Sequence, residues 1–227
     1  MKKLAIFDID GTIFRSSLLI EVTNALIAEG VFPASTRKMY QRAFDNWLNR
    51  EDSYGKYIAV VVVAFYTHIR GVPPATFRRV VKKVIAYHKH RVYRYTRDLV
   101  KQLRQRKYFL LAISHSPADL VAEFGKYFGF YKVYGRLMHI GNDGKLTGHL
   151  PPDDPINDKA KILKRAVARH NLSLRGSIGL GDSESDIPFL KMIDKPIYFN
   201  PNGKLYRYAK RAGWKVVVER KDVIYHL

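Results

Sequence analysis

Apolar residues follow two different spacings along this chain, and the change comes near residue 93. Residues 3–7 form a short apolar run that predicts one buried strand. Between residues 16 and 92 the apolar positions recur every three or four residues, which predicts helices. The run YIAVVVVAFY at residues 57–66, within the third predicted helix, would by itself also suit a strand. The four predicted helices cover residues 18–29, 35–50, 54–69 and 75–90.

Beyond residue 93, strand-like apolar runs alternate with helical segments. Strands are predicted at residues 108–113, 132–138, 177–180, 196–199 and 215–218. Helices are predicted at residues 96–106, 117–127, 155–170, 187–192 and 204–212. Asn142, Asp143 and Gly144 form a turn signal for a small hairpin. This alternation predicts a parallel sheet covered by helices, with the helical segment inserted after the first strand.

Composition narrows the chemistry and the location of the protein. The chain contains no cysteine, which excludes disulfides, thiolate metal sites and cysteine nucleophiles. The apolar part of the N-terminus, residues 4–7, is too short for the core of a signal peptide. The apolar run at residues 57–66 is also too short to cross a bilayer, which takes about 20 residues. We therefore expect a cytoplasmic protein without a membrane partner.

The chain is strongly basic, with 40 basic and 20 acidic side chains and a formal net charge of +20. Such a charge can attract nucleic acid or can steer a small anionic substrate to its site. It can also be a general feature of a lineage whose proteins are basic. The basic residues are scattered, and no run reaches five consecutive like charges. Nucleic acid therefore stays open as a partner but is not favoured.

Two carboxylates stand directly after the first predicted strand, in the sequence FDIDGT. Asp8 and Asp10 are two residues apart, so in extended backbone their side chains point the same way. Gly11 allows the chain to turn sharply and to approach a ligand closely. An ordinary polar loop also favours aspartate and glycine, so this stretch alone leaves both interpretations open.

Three later segments favour the interpretation as a site. Ser114 ends an apolar run in LLAISHSP and offers a hydroxyl, while Asp182 and Asp186 follow another run in SIGLGDSESD. Lys159 lies between them and supplies a compact positive charge. Aspartates are the hard oxygen ligands that Mg²⁺ prefers. Each residue has an ordinary alternative as a helix cap or a solvated side chain, but those alternatives do not explain the ordered set.

In order along the chain, FDIDGT, ISHS, Lys159 and GDSESD resemble the four motifs of the haloacid dehalogenase superfamily of phosphotransferases. The resemblance covers residues 3 to about 218. It implies an α/β fold whose Rossmann-like core, a doubly wound parallel sheet, consists of residues 1–14 and 93–227. The all-helical residues 15–92 are similar to the inserted C1-type cap domain of the phosphoserine-phosphatase-like branch.

The resemblance also implies a mechanism. Asp8 would be the nucleophile that forms an aspartyl-phosphate, and Asp10 would act first as general acid and then as base. Ser114 would donate a hydrogen bond to a transferring oxygen, and Lys159 would stabilise the charge of that oxygen. The implied cofactor is Mg²⁺. Its implied site comprises Asp8, Asp10 through the backbone carbonyl, Asp182, and Asp186 as a residue that positions the lysine or a metal-bound water.

The implied function is a Mg²⁺-dependent phosphatase acting on a small-molecule phosphomonoester, with phosphoserine-like compounds among the candidates. The second motif reads SHSP rather than the SGG of typical phosphoserine phosphatases, so we expect His115 and Ser116 to alter the phosphate edge of the site. Ser17 stands where those enzymes carry a glutamate for the substrate amino group, and Glu21 follows one helical turn later. Two alternatives stay open: a phosphotransferase or mutase of the same superfamily, and a basic nucleic-acid-binding protein with a secondary active site.

Overall fold

A seven-stranded sheet lies at the centre of the protein, and the computed structural model describes all residues from 1 to 227. The strands are β1 (Lys2–Phe7), β2 (Phe109–Pro117), β3 (Lys132–Arg136), β4 (Leu172–Gly181), β5 (Lys195–Phe199), β6 (Lys215–Arg220) and β7 (Val223–His226). Their spatial order is β3-β2-β1-β4-β5-β6-β7. Neighbouring strands are parallel except for β7, which pairs antiparallel with β6. The predicted α/β fold is thereby confirmed.

The chain has nine α-helices, and five of them lie between β1 and β2. They are α1 (Leu18–Ala28), α2 (Thr36–Leu48), α3 (Tyr54–Ile69), α4 (Pro74–His88), α5 (Arg94–Gln105), α6 (Ala118–Phe128), α7 (Lys159–His170), α8 (Ile187–Leu190) and α9 (Gly203–Ala212). The helices α1 to α4 form the predicted insertion. None of the nine combines the length and the apolar character that a membrane crossing requires.

The sheet is buried on both faces, as the alternation of side chains along β1 illustrates. Ala5 and Phe7 point into a hydrophobic cluster that includes residues of α5, α6 and the inserted helices. Leu4 and Ile6 point to the opposite face, into a second cluster with α7, α8 and α9. Side chains of a strand alternate between faces, so an apolar run such as this one suits a strand covered on both sides. The sheet is therefore doubly wound.

The chain enters and leaves the helical insertion at one place. The backbone N–H of Tyr93 donates to Ile13 O at 3.0 Å, and that of Arg15 donates to Arg91 O, also at 3.0 Å. An ion pair between Glu21 Oε1 and Arg91 Nη1 at 2.7 Å lies beside this crossing. The two chain segments that flank the insertion are thus joined by backbone hydrogen bonds.

Three elements differ most from the sequence-based expectation, and β2 also extends to Pro117, four residues beyond its predicted end at 113. The segment predicted as one helix over 155–170 has a single 3₁₀ turn at Pro155–Asn157, and α7 begins only at Lys159. Asp158 causes this break, because its side chain caps the helix by accepting a hydrogen bond from Lys161 N at 2.8 Å. β4 begins at Leu172, five residues before its predicted start at 177. The prediction missed the first half of the strand because that half alternates polar and apolar residues and forms no apolar run.

The third difference is the unpredicted edge strand β7. Its four residues are mostly exposed, so they lack the apolar pattern that marks a buried strand. The antiparallel pairing with β6 supplies its hydrogen bonds instead. The predicted hairpin around Gly144 is present as a small turn, closed by a bridge between Ile140 and Leu146.

Close packing between β3 and the end of β2 predicts that Gly135 tolerates no side chain. A Cβ added there would lie 2.7 Å from Ala118 Cα and 2.9 Å from Ser116 O, both backbone atoms that no rotamer change can move. We expect Gly135→Ala to lower the free energy of unfolding by about 1–3 kcal/mol through overpacking. Urea unfolding followed by circular dichroism measures the change.

Gly55→Ala is the matched control for this substitution. A Cβ at Gly55, in the first turn of α3, would meet nothing closer than Ser53 Oγ at 3.9 Å. Because alanine favours a helix over glycine by up to about 1 kcal/mol, this variant should be neutral or slightly more stable. Equal urea midpoints for the two variants would contradict the packing argument.

Candidate active site

The candidate residues meet because three neighbouring strands end at the same edge of the sheet. Phe7 of β1 pairs with Ala112 of β2 on one side and with Leu180 of β4 on the other. The residues just beyond these pairs include Asp8, which donates its backbone N–H to Leu180 O at 3.0 Å. In parallel sheets the carboxyl ends of the central strands form the usual ligand crevice. The predicted site therefore lies at the centre of that edge.

A buried ammonium joins two of the predicted carboxylates. Lys159 Nζ donates to Asp8 Oδ1 at 2.7 Å and to Asp186 Oδ1 at 2.6 Å. Asp8 is 5% exposed, Lys159 3% and Asp186 not at all. Lys159 reaches this position as the first residue of α7, where the cap by Asp158 starts the helix. Hydrogen bonds between opposite charges are among the strong ones, and burial reduces their screening by water.

Negative charge exceeds positive charge around this lysine. Burial raises the pKa of Asp8 from 3.8 to about 8; Asp186 and Asp10 add to the rise, while Lys159 opposes it. Burial, with the charges of Asp8 and Asp186, also holds the pKa of Asp182 well above its usual value. Burial alone would lower the pKa of the Lys159 ammonium, but the charges of Asp186 and Asp8 outweigh that effect and raise it. The carboxylates lack a matching second cation.

The same carboxylates have the chemistry of a site for a divalent cation. One oxygen each from Asp8, Asp182 and Asp186 lie within 4.8 Å of one another. Hard oxygen donors in a buried, negatively charged cluster suit Mg²⁺. Gly11 makes room for this arrangement, because a Cβ there would overlap the carboxylate of Asp182 and its backbone has a φ of +78°. The donor set therefore fits the implied metal.

Asp186 differs from the other two carboxylates in having both oxygens engaged. Oδ1 accepts the hydrogen bond from Lys159, and Oδ2 accepts from Asp182 N and Ser183 N, both at 3.1 Å. The hydroxyl of Ser183 donates to the same Oδ2 at 3.2 Å. Asp186 thus holds together the loop that carries Asp182 and the lysine that contacts Asp8.

Asp10 lies outside the three-carboxylate cluster and has its own set of donors. Its Oδ1 accepts from Leu18 N at the start of α1. Its Oδ2 accepts from the hydroxyl of Ser114 at 2.7 Å and from the hydroxyl of Ser116 at 2.8 Å. Both serines are buried. The predicted residues Asp10 and Ser114 are therefore in direct contact with each other.

Ser116 is the residue whose contact with Asp10 the sequence reasoning missed. The signal was present in ISHS, because residues two apart on a strand point to the same side. His115, between the two serines, is half-buried. Burial lowers its pKa to about 4, and the nearby charges of Lys159 and Arg136 contribute to the shift, so its ring is neutral at pH 7.

The inserted helices contribute one aromatic side chain to the surroundings of the site. Tyr54, at the start of α3, packs against Trp47 with ring centroids 5.2 Å apart. Tyr54 is 36% exposed; the burial of the rest of its side chain raises its pKa, and the negative charges of Asp10 and Asp182 raise it further. Glu21 is occupied elsewhere, because it pairs with Arg91 at 2.7 Å and lies 3.4 Å from the His88 ring.

Comparison with known proteins places this arrangement in a family. The model of the haloacid dehalogenase-like hydrolases matches residues 5–191. A histidinol-phosphatase of Neisseria meningitidis is 24% identical over 96% of this chain and 99% of its own. A phosphoserine phosphatase, SerB1, of Mycobacterium tuberculosis is 23% identical over 93% of this chain and 71% of its own.

A solved structure shares the fold across nearly the whole chain. It is a phospho-aspartyl intermediate analogue of phosphoserine phosphatase, with a TM-score of 0.62 and 19% identity. The alignment covers 97% of this chain and 95% of that one. Together with the family model, these similarities carry the conclusion. The chain belongs to the haloacid dehalogenase-like hydrolases, and in sequence and fold it is similar to the phosphoserine phosphatases among them.

Proposed function

We propose that the protein hydrolyses a small-molecule phosphomonoester in a Mg²⁺-dependent reaction that passes through an aspartyl-phosphate on Asp8. The observation that carries the proposal is the contact of Lys159 with Asp8 and Asp186 at 2.7 and 2.6 Å, inside a cluster of three carboxylates. A lone buried ion pair would need no third carboxylate. A bound divalent cation would balance the excess negative charge of the carboxylates and would allow a phosphate dianion to bind beside them.

Asp8 has the contacts expected of a nucleophile. Lys159 holds Oδ1, and no group of the protein donates a hydrogen bond to Oδ2. One oxygen is therefore fixed while the other is available to attack phosphorus. A carboxylate nucleophile divides the hydrolysis into two displacements, formation of the aspartyl-phosphate and its hydrolysis by water. In both displacements the ammonium of Lys159 offsets the negative charge that gathers near Asp8.

The cation would be held by the carboxylates of Asp8 and Asp182, with the backbone carbonyl of Asp10 as a further ligand. When bound, Mg²⁺ supplies positive charge that allows an anionic carboxylate to approach an anionic phosphate. Asp186 contributes indirectly, because its two oxygens position Lys159 and the backbone of Asp182. The engaged oxygens favour this positioning role for Asp186 over direct ligation.

Asp10 is the candidate for the proton transfers. It lies two residues from Asp8 and is held by hydroxyl and backbone donors rather than by Lys159. In the first displacement Asp10 would give a proton to the leaving alcohol, and in the second it would take one from the attacking water. Ser114, now on Asp10, would turn its hydroxyl to a phosphoryl oxygen when substrate binds.

We further propose that residues 15–92 form a cap over this site, with residues 1–14 and 93–227 as the core. Two observations support the division. The chain enters and leaves the insertion through paired segments at Ile13–Arg15 and Arg91–Tyr93. Tyr54 of the insertion lies close enough to Asp10 and Asp182 for their charges to raise its pKa. A cap in this position excludes water while the phosphoryl group is transferred.

The names of two relatives support one class of substrate. Histidinol phosphate and phosphoserine, the esters that their names imply, are both phosphates of a primary alcohol next to an amino group. We propose an ester of this class for the present protein. The net charge of +20 supports an anionic substrate, since a basic surface raises the local concentration of phosphate esters.

Phosphate release from a panel of esters tests the proposed function. The panel contains phosphoserine, histidinol phosphate and p-nitrophenyl phosphate, each assayed with Mg²⁺ and with a chelator. We expect release with Mg²⁺, and a loss of at least about 10³-fold with chelator or in Asp8→Asn, since the amide cannot act as the nucleophile.

Asp153→Asn is the matched control, because Asp153 is an exposed aspartate outside the site. It should keep the wild-type rates on all three esters. Undiminished release in Asp8→Asn, or release that needs no metal, would contradict the proposed mechanism.

Removal of one carboxylate from the cluster should stabilise the metal-free protein. The pKa of Asp8 lies near 8 in the folded chain and 3.8 in its unfolded reference. The folded state therefore binds this proton more tightly, and its stability falls as the pH rises from about 4 to about 8. Asp182→Asn removes one carboxyl, so that its ionisation no longer competes with that of Asp8 and Asp186 as the pH rises. We expect the melting temperature in chelator to rise by several degrees.

The same substitution should weaken the stabilisation by Mg²⁺. Wild-type protein at about 100 times its Kd for Mg²⁺ gains about 2.7 kcal/mol from binding. Asp182→Asn should lose most of this gain, and Asp153→Asn should keep it. A lower melting temperature of Asp182→Asn in chelator, together with an unchanged response to Mg²⁺, would show that Asp182 is not part of a cation site.

A further inference from the structure

One of the two hydroxyls that donate to Asp10 has no role in the reaction proposed above. Ser114 and Ser116 both donate to Asp10 Oδ2, at 2.7 and 2.8 Å, while Leu18 N donates to Oδ1. Ser116 is 3% exposed, and its hydroxyl makes no other hydrogen bond. Its backbone N–H donates to Ser114 Oγ at 3.0 Å. The two serines therefore form one small network around a single carboxylate oxygen.

This network cannot keep its resting form during the reaction. A serine hydroxyl carries one proton and makes one donated hydrogen bond at a time. If Ser114 donates to a phosphoryl oxygen, it no longer donates to Asp10. The hydroxyl of Ser116 is then the remaining side-chain donor at Oδ2, and the backbone N–H of Leu18 holds only Oδ1.

The hydroxyl of Ser116 can contact Oδ2 in both protonation states of Asp10. Leu18 N can only donate, so Oδ1 stays an acceptor throughout. Oδ2 must carry a proton that points to the leaving group when Asp10 acts as general acid, and it must lack that proton afterwards. The Ser116 hydroxyl can donate to the ionised oxygen and to the remaining lone pair of the protonated one. It can therefore hold the carboxyl in place in both states without taking up the proton that the leaving group needs.

We propose that Ser116 is a positioning residue for Asp10, which keeps the general acid aimed at the leaving group while Ser114 is engaged by phosphate. This inference rests on the proposed function. Its substrate consequence is specific: hydrolysis of alkyl esters depends on Ser116 more than hydrolysis of aryl esters. An alkoxide leaving group is strongly basic and needs the proton of Asp10, whereas p-nitrophenolate leaves without one.

The test compares kcat/KM of Ser116→Ala on two esters, p-nitrophenyl phosphate and the better of phosphoserine and histidinol phosphate. This parameter reports the steps up to formation of the aspartyl-phosphate, where the leaving group departs. General acid–base catalysis contributes about 10²–10⁴-fold, and misplacement of the acid should cost part of it. We expect kcat/KM to fall about 10–100-fold on the alkyl ester and less than about threefold on the aryl ester.

Two further variants separate positioning from a structural role. Ser116→Thr keeps the hydroxyl and should restore the wild-type ratio of the two kcat/KM values. Ser177→Ala removes another buried hydroxyl, which accepts from Asp194 N at 3.0 Å far from Asp10 in the chain. That variant should leave the ratio unchanged even where it lowers stability, because partial unfolding reduces both rates equally.

The possible results distinguish the inference from the function on which it rests. A rise in the aryl-to-alkyl ratio for Ser116→Ala, absent from Ser116→Thr, supports the inference. An unchanged ratio in Ser116→Ala, or an equal rise in Ser116→Thr, overturns it while leaving the phosphatase assignment intact. A wild-type protein that hydrolyses neither ester would overturn the inference and the proposed function together.

Discussion

The rest of the site depends on one buried ammonium. Lys159 contacts Asp8 and Asp186 simultaneously, at 2.7 and 2.6 Å, and all three side chains are shielded from water. Loss of one partner from such a buried set costs about 3–5 kcal/mol, because it leaves charge uncompensated. The ammonium also fixes which oxygen of Asp8 is engaged, and through Asp186 it fixes the loop that carries Asp182. The same atom, Lys159 Nζ, therefore stabilises the buried carboxylates and positions the proposed nucleophile.

The fold supplies this contact by bringing distant parts of the chain to one edge of a sheet. Asp8 follows β1, Ser114 lies near the end of β2, and Asp182 follows β4, three strands that are neighbours in space. Lys159 arrives from the start of α7, where Asp158 ends the preceding turn and starts the helix. The inserted helices complete the surroundings through Leu18 N, which donates to Asp10. The position of Asp10, the proposed general acid, is thus coupled to the first helix of the insertion.

Sequence reasoning predicted the parallel sheet, and it named six candidate site residues that the structure places near one edge of that sheet, because both leave local signals. An apolar run that ends in aspartate or serine marks a strand and its functional end together. The hydrogen bond from Ser116 to Asp10 was missed because the spacing in ISHS indicates only that Ser114 and Ser116 share a face of the strand, and not which side chain they contact. The edge strand β7 was missed because its mostly exposed residues lack a hydrophobic pattern. The prediction started the helix too early, at residue 155, because the helical spacing of apolar residues continues through the 3₁₀ turn at Pro155–Asn157. In the structure Asp158 separates that turn from α7.

The proposed mechanism requires that Asp8 becomes phosphorylated during turnover. Rapid acid quenching of the enzyme with its best ester, followed by digestion and mass spectrometry, measures this directly. We expect a phosphate on the peptide that contains Asp8, lost on treatment with hydroxylamine as an acyl-phosphate should be. The same peptide should stay unmodified in Asp8→Asn. Phosphate on another residue, or steady release of phosphate with no modified peptide at any quench time, would rule out Asp8 as the nucleophile.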